Sequence, residues 1–341
     1  MNRVARLDLF RRAELFRETA DRMGLSEAVV EKDFWVCWTL KQIFAIEQFN
    51  ERLLFKGGTS LSKVFGAIQR FSEDIDLAVD YTLLGFVGDR NPTQPGLSRT
   101  RQLRLQAEML GACANYIRTD FLEILQRRFT EILGPEGWTV SIAPEDPHVV
   151  RFRYPRSVQS EIAYVSPRVI LELGTHAEFV PRDRFRIRCF AAAEFPNVFE
   201  VPDVAVTALL AKRTFWEKVT ILHAEYYRAG DKALPGRYSR HYYDVAMMTQ
   251  GPVSVEALAD RALLAQVVRH KQAFYPAAWA HYELAVPGSL RVVPPEHRHA
   301  ALRQDYRDMG AMIFGQAPSF DELLRYLVEL ETAINRSPNS E

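Results

Sequence analysis

Two glycines and two aspartates constrain the middle of this chain more than any other feature. The apolar run Leu53-Leu54-Phe55 ends in Lys56-Gly57-Gly58-Thr59-Ser60, and one short helix later the chain reaches Asp74-Ile75-Asp76-Leu77-Ala78-Val79. A short apolar run and a period-two alternation both read as strands. The order is therefore strand, glycine turn, helix, strand. Gly57 and Gly58 let backbone approach a ligand closely, while Thr59 and Ser60 offer hydroxyls and amides at the start of a helix. Asp74 and Asp76, two apart on one strand, project from the same face, and Ile75 points the other way into a core. Hard divalent cations take oxygen ligands, so the pair suits a metal that assists phosphoryl chemistry. The plainer alternative is a tight turn followed by two solvated carboxylates on an exposed strand face.

A third carboxylate is expected on a neighbouring strand. Glu172, in Val169-Ile170-Leu171-Glu172-Leu173, is the one acidic residue inside an apolar run. A charge there needs a partner, and a metal would serve; the other reading puts Glu172 on the solvated face of an edge strand. Arg70, Ser72 and Glu73 flank the aspartate pair. Arg70 is read either as a phosphate contact or as a solvated surface cation.

The rest of the chain divides into two patterns. A helix over 7–22 ends at Gly24, and Ser26 caps a second that carries Val30, Phe34, Cys37, Leu40 and Phe44 as one apolar stripe. Residues 80–98, with Gly85, Gly88, Pro92, Pro95 and Gly96, read as a mobile loop. A long helix follows, with Leu103, Ala107, Leu110, Ala114, Ile117, Phe121 and Ile124 as its buried face. Four further strands are expected over 138–142, 149–154, 169–173 and 185–190. After Pro202 the pattern turns helical over 204–227, and a last helix opens on the capping box of Ser319 and Glu322. The fold class is mixed α+β, with domains expected over 1–200 and 201–341 and a frayed tail over 336–341.

Charge and cysteine content narrow the partners. Lys plus Arg and Asp plus Glu each number 43, so no global positive field draws in nucleic acid and any such contact is local. Arginines do cluster locally: Arg99, Arg101 and Arg104; Arg151, Arg153 and Arg156; and Arg182, Arg184, Arg186 and Arg188, the last set alternating on one strand face. They read either as a hold on an RNA backbone or as ordinary solvated faces. Cys37, Cys113 and Cys189 lie far apart, without metal-ligand spacing, which suits a reducing cytoplasm. No stretch approaches the roughly 20 apolar residues that span a bilayer, and Met1–Asp8 carries charge without an apolar core. Neither secretion nor membrane insertion is expected.

Several segments together resemble the AbiEii/AbiGii toxin family of nucleotidyltransferases from bacterial toxin-antitoxin and phage-defence systems. They are Phe55-Lys56-Gly57-Gly58-Thr59-Ser60-Leu61, Arg70-Phe71-Ser72-Glu73-Asp74-Ile75-Asp76-Leu77, Arg213-Thr214-Phe215-Trp216-Glu217-Lys218 and Ser239-Arg240-His241-Tyr242-Tyr243-Asp244-Val245. Glu31-Lys32-Asp33 is similar to the family's N-terminal signature, so the resemblance runs over about 28–250. It implies a DNA polymerase β-like nucleotidyltransferase core with a helical C-terminal part that contributes Lys218 and Asp244. It also implies an NTP substrate, Mg²⁺ or Mn²⁺, an AbiEi-like antitoxin encoded nearby and, in some members, nucleotide addition to the 3′ end of tRNA. Carried over by position, Asp74 and Asp76 are metal ligands with Glu172 beside them. Lys56, Gly57, Gly58, Thr59, Ser60, Arg70 and Ser72 border the nucleotide, Lys218 neutralises the triphosphate and Asp244 completes the site. His241 stands where relatives often carry another acid. Rival readings have the same chemistry modify a protein or small molecule, or have the chain bind NTP as a regulator without transfer.

Lys218 also fits on physical grounds, at the margin of a stripe formed by Phe215, Val219 and Leu222, with Lys212 a competitor on another face. Trp216, His223 and Tyr243 read as core or cleft-wall groups.

Overall fold

A computed structural model describes residues 1–72, 74–94, 96–159 and 166–336. Glu73, Pro95 and the tail beyond Arg336, all named above, lie outside the described residues. Contacts divide the chain into two units, the first comprising Met1–Val64 and Phe71–Leu209, the second Phe65–Arg70 and the residues from Leu210 onward.

The first unit is built on seven strands: β1 (Leu53–Lys56), β2 (Asp74–Val79), β3 (Thr139–Ala143), β4 (Asp146–Arg153), β5 (Val169–Gly174), β6 (Arg182–Arg188) and β7 (Asp203–Leu209). They form one mixed sheet in the order β3-β4-β5-β2-β1-β7-β6. The β2–β5 and β1–β7 pairs are parallel and the others antiparallel. Sheet faces follow from register, because residues paired across strands share a face and neighbours along a strand alternate. Phe55, Ile75, Leu77, Phe152, Leu171, Ile187 and Val206 all enter the main core. Helices of this unit pack on that face.

Of these helices, Glu27–Phe44 departs most from the expected single stripe. It is buried on nearly every side, with Trp35 and Trp38 as well as Phe34 and Leu40 in the core, so its polar residues need partners. Glu31 accepts hydrogen bonds from Ser157 N at 2.6 Å and Ser157 Oγ at 2.6 Å. Asp33 accepts from Phe190 N at 2.7 Å and pairs with the Lys63 ammonium. The Glu31-Lys32-Asp33 signature is thus an internal set of polar groups.

Two elements correct the sequence reading. The long helix runs as Arg99–Tyr116, a π turn at Ile117–Phe121 and a second helix at Leu122–Leu133. Its buried face is Leu105, Met109, Cys113, Ile117, Phe121, Leu125 and Phe129, whereas Leu103 is exposed. A repeat of four drifts forward by about 40° per step on a helix of 3.6 residues per turn, and the extra residue of a π turn takes up part of that drift. The second correction is β7. Asp203-Val204-Ala205-Val206-Thr207-Ala208-Leu209, expected to be helical, is an interior strand with Val204, Val206 and Ala208 facing the core. The next helix begins only at Ala211. The loop after β2 contains two short 3₁₀ turns, Tyr81–Leu84 and Gly88–Arg90, and buries Phe86 between them.

The opposite face of the sheet is only partly covered. Leu54, Ala78 and Leu209 pack there with Ala177, and Phe179 lies against them, so the β5-to-β6 connection crosses this face. On either side of that crossing the face carries polar side chains.

The second unit is helical. Its main elements are Ala211–Tyr226, Ser239–Met248, Arg261–Phe274, His299–Met309 and Phe320–Asn335, the last with the expected capping box of Ser319 and Glu322. Trp216, His223 and Tyr243 are buried in it, as their residue types suggested. The segment Phe65–Arg70 joins this unit through a backbone hydrogen bond from Phe314 N to Gln69 O at 2.8 Å and a bridge between Arg70 and Ile313. Among the described residues, no helix is long and apolar enough to cross a membrane.

Candidate active site

Three acidic residues meet on the open face of the first unit's sheet. Asp76 pairs in register with Glu172 on β5 and with Lys56 on β1, and Asp74 pairs with Ile170. Glu172, Asp76 and Lys56 therefore form one row across three adjacent strands, with Asp74 next along β2 on the same face. At about 4.8 Å between strands, Glu172 and Asp76 project as immediate neighbours. β5 lies between β4 and β2, so Glu172 is not on an edge strand, although its side chain is exposed. Among the described residues, no three His, Cys, Asp or Glu side chains are drawn into a closed metal-binding group. The carboxylates of Glu172, Asp76 and Asp74 are neighbouring oxygen donors on this face, with the Lys56 cation beside them.

The glycine turn shapes one side of this array. Gly57 has φ +78°, a left-handed conformation that L side chains rarely adopt, and a Cβ built on it would stand 2.5 Å from Asp76 Cγ. The Asp76 carboxylate thus lies directly on the glycine backbone. Gly58, Thr59 and Ser60 are buried in the helix Gly57–Lys63. Thr59 Oγ1 donates to Asp74 O at 2.5 Å, so this hydroxyl ties the helix to the start of β2. At the other end of the helix, Lys63 pairs with Asp33, and its ammonium lies 3.7 Å from the Phe190 ring centroid. Lys63 was not singled out from the sequence; its only signal is a lysine five residues after a glycine pair. Ser72, partly buried, lies two positions before Asp74, the first residue of β2.

The other sequence-selected residues lie in the second unit, around Asp244. This carboxylate is fully buried on the helix Ser239–Met248. Arg70 grips it bidentately, Nε to Oδ1 at 2.6 Å and Nη2 to Oδ2 at 2.8 Å. Lys218 on the helix Ala211–Tyr226 places Nζ 2.9 Å from Oδ2. Burial raises the carboxyl pKa, but the Arg70 and Lys218 charges outweigh it and hold Asp244 well below the usual carboxylate range. Arg70 is only 4% exposed, so its guanidinium is engaged with Asp244 rather than solvated. Lys218 Nζ also lies 3.5 Å from His241 Nδ1. Burial, reinforced by the neighbouring Lys218 and Arg240 charges, pushes His241 well below the ordinary histidine range, so it is neutral at pH 7. Lys212, the competing lysine, pairs instead with Asp260 at 2.7 Å.

The acidic residues thus share one face of a mixed sheet, with Asp76 against a glycine turn, in a chain with a helical second unit. The family model described as nucleotidyl transferase AbiEii toxin, type IV toxin-antitoxin system, matches residues 38–326. The chain belongs to this AbiEii family and is a toxin nucleotidyltransferase of that type of system. The match extends well beyond the motifs on the C-terminal side and begins after Glu31-Lys32-Asp33. Among solved structures, the chain is similar to MenT4, a nucleotidyltransferase toxin from Mycobacterium tuberculosis H37Rv. The two are 16% identical with a TM-score of 0.44, over 95% of this chain and 99% of that one. No curated protein is significantly similar. Membership of a toxin-antitoxin family implies an antitoxin partner.

Proposed function

We propose that the chain transfers a nucleoside monophosphate from an NTP to the 3′ hydroxyl of an RNA, with tRNA the favoured acceptor, and thereby blocks translation in the cytoplasm. The reading is carried by the row Glu172–Asp76–Lys56 with Asp74 beside it, a set of oxygen donors and a cation at the edge of a glycine turn. The tRNA acceptor, the nearby AbiEi-like antitoxin and the role in phage defence come from the family resemblance.

Carboxylate oxygens are the donors that Mg²⁺ or Mn²⁺ takes, and the bare glycine backbone under Asp76 leaves space that a side chain would fill. Asp74 and Asp76, joined by Glu172, are the residues that would hold the ion. When bound, such a cation neutralises phosphate charge and lowers the pKa of an attacking hydroxyl. The chain's own residues then align the reactants. Gly57 and Gly58 present backbone to the phosphates, with Lys56, Thr59, Ser60 and Ser72 at the border of the same turn. Lys218 is assigned to charge on the triphosphate, Asp244 holds its ammonium, and Arg70 acts through Asp244. The acceptor oxygen bonds to the α-phosphorus, the α–β bridging bond breaks, the hydroxyl proton passes to solvent and pyrophosphate leaves. Alignment and electrostatics, without a covalent enzyme intermediate, supply the rate.

The test is label transfer from each of the four α-labelled NTPs, with total RNA and lysate protein offered together and with Asp74→Ala and Asp76→Ala variants as controls. Label in RNA that disappears in both variants is the expected result. Label only in protein or in a small molecule would overturn the RNA acceptor, and NTP binding without pyrophosphate release would overturn transfer itself.

A further inference from the structure

The open face of the first unit carries a second charged feature, at the sheet's far edge. β6 pairs with β7 along its whole length, with Arg182 opposite Leu209, Arg184 opposite Thr207, Arg186 opposite Ala205 and Arg188 opposite Asp203. Phe55 of β1 pairs with Ala208 of β7, and both face the main core. By alternation Lys56, Leu209 and Arg182 lie on the other face, the one that bears Asp76 and Glu172. The row of the acidic site therefore continues as Glu172–Asp76–Lys56–Leu209–Arg182, and the remaining arginines lead away from it along the edge strand.

The charges in this ladder are unevenly satisfied. Arg188 is paired with Asp203 at 2.7 Å, and Arg182 lies 5.5 Å from the Phe179 ring centroid. Arg184 and Arg186 are exposed, and no side-chain hydrogen bond, ion pair or ring contact engages either guanidinium among the described residues. The other basic clusters are more heavily engaged, since Arg104 pairs with Glu108 and Arg151 with Glu145. Arg153 is exposed on the same open face, two strands to the other side of Asp74. With equal numbers of basic and acidic residues overall, the β6 edge of this face gathers positive charge locally that the composition does not show.

Three strand spacings of about 4.8 Å and two residues of about 3.4 Å put Arg184 roughly 16 Å from Asp76. Residues 175–181 cross the face between them, with Ala177 packed on Leu54, Ala78 and Leu209. A nucleotide seated at the carboxylates does not reach the ladder, so its ligand must be extended and repeatedly anionic. We infer that Arg184 and Arg186 on β6 dock the phosphate backbone of the RNA acceptor several nucleotides away from the 3′ end that reacts. This rests on the RNA-acceptor reading above. Arginine on phosphate oxygens positions a strand without reading its sequence, which suits two exposed guanidinia side by side on one strand face.

Fluorescence anisotropy with labelled bulk tRNA, titrated with NTP-free protein between 50 and 200 mM salt, tests the assignment. Arg184→Ala/Arg186→Ala should weaken tRNA binding by about tenfold to a hundredfold at 50 mM salt and flatten the slope of log K against log salt by about 1.4 to 1.8. Arg184→Lys/Arg186→Lys should retain most of the affinity, and binding of NTP or of a trinucleotide should be unchanged in both variants. Wild-type tRNA affinity and slope in the alanine variant would overturn the proposal and leave the ladder to an acidic protein surface. Failure of the wild type to bind tRNA would overturn it as well. The label-transfer assay reports separately whether RNA is the acceptor, so loss of the ladder and loss of that reading are told apart.

Discussion

The carboxylate of Asp76 rests on the backbone of Gly57. A Cβ placed at Gly57 would stand 2.5 Å from Asp76 Cγ and 3.0 Å from Asp76 Cβ, at a residue whose φ of +78° already favours glycine. Two costs then coincide at one position. Gly57→Ala should displace the carboxylate and reduce nucleotidyl transfer by at least about a hundredfold, the scale of losing one aligned electrostatic group. Gly24 supplies the comparison: it has φ +64° with nothing within 4 Å, so Gly24→Ala bears backbone strain alone. Melting temperature and label transfer, measured on both variants, separate strain from displacement; equal activity in the two would remove the assigned role of Gly57.

Removal of the Asp244 charge leaves two cations facing a buried neutral group. Asp244→Asn should destabilise the second unit by about 3–5 kcal/mol, the usual penalty for orphaning one side of a buried ion pair. Denaturant unfolding of the full chain is the measurement. Arg70→Met should cost less, because Lys218 still faces the carboxylate.

The same cluster predicts an acid-labile fold. The folded-state pKa of Asp244 is depressed, so its contribution is present above the unfolded carboxylate range near 4 and is lost as pH falls through the folded value. His241 acts in the same direction: its depressed folded pKa favours the neutral ring, so protonation of the unfolded chain below about pH 6.5 erodes stability. Unfolding free energy should decline from about pH 6.5 downward and fall further below about pH 5. Asp244→Asn should flatten the lower part of that curve and His241→Asn the upper part. An unchanged profile in both variants would contradict the assignment.

Asp33 and Lys63 form a test of the internal polar set. Burial works against the Lys63 charge, yet the adjacent Asp33 carboxylate more than compensates and keeps the ammonium protonated. Asp33→Asn should destabilise by about 3–5 kcal/mol, whereas Asp33→Asn/Lys63→Met should recover a substantial part of the loss, because a buried neutral pair needs no counter-charge. A double-mutant cycle in denaturant measures the coupling.

Glu172 should matter less than the aspartates. Its side chain is exposed, so Glu172→Gln should lower transfer by about tenfold while Asp76→Asn lowers it by about a thousandfold, with little change in stability for either. Parallel kcat measurements at saturating Mg²⁺ and at limiting Mg²⁺ separate metal affinity from chemistry.

What could be seen in the chain before folding follows from how local each signal is. Ser26 and Ser319 cap helices through residues three positions away, so both starts are visible in a short window. The glycine turn and Asp74-Ile75-Asp76 are likewise contiguous. β7 was hidden because Val204-Ala205-Val206-Thr207-Ala208-Leu209 is apolar at nearly every position and runs straight into an alanine-led helix; its pairing with β1 and β6 decides its form. The buried face of the 99–133 helices shifted because a π turn has no local residue signature. The grip of Arg70 on Asp244 spans 174 residues, so neither residue on its own announces the other. The register of Asp76 with Glu172 was open for the same reason, since a single strand does not state which neighbour it will have.

The six residues Phe65–Arg70 lie in the second unit while the chain on both sides of them belongs to the first. A gene cut at Leu210 would yield a C-terminal fragment whose Asp244 lacks its arginine and whose Phe314 amide lacks Gln69 as acceptor. The two halves are therefore not modules that recombination can exchange at a single junction: a replacement for either must arrive with its threaded segment, and the protein is inherited whole.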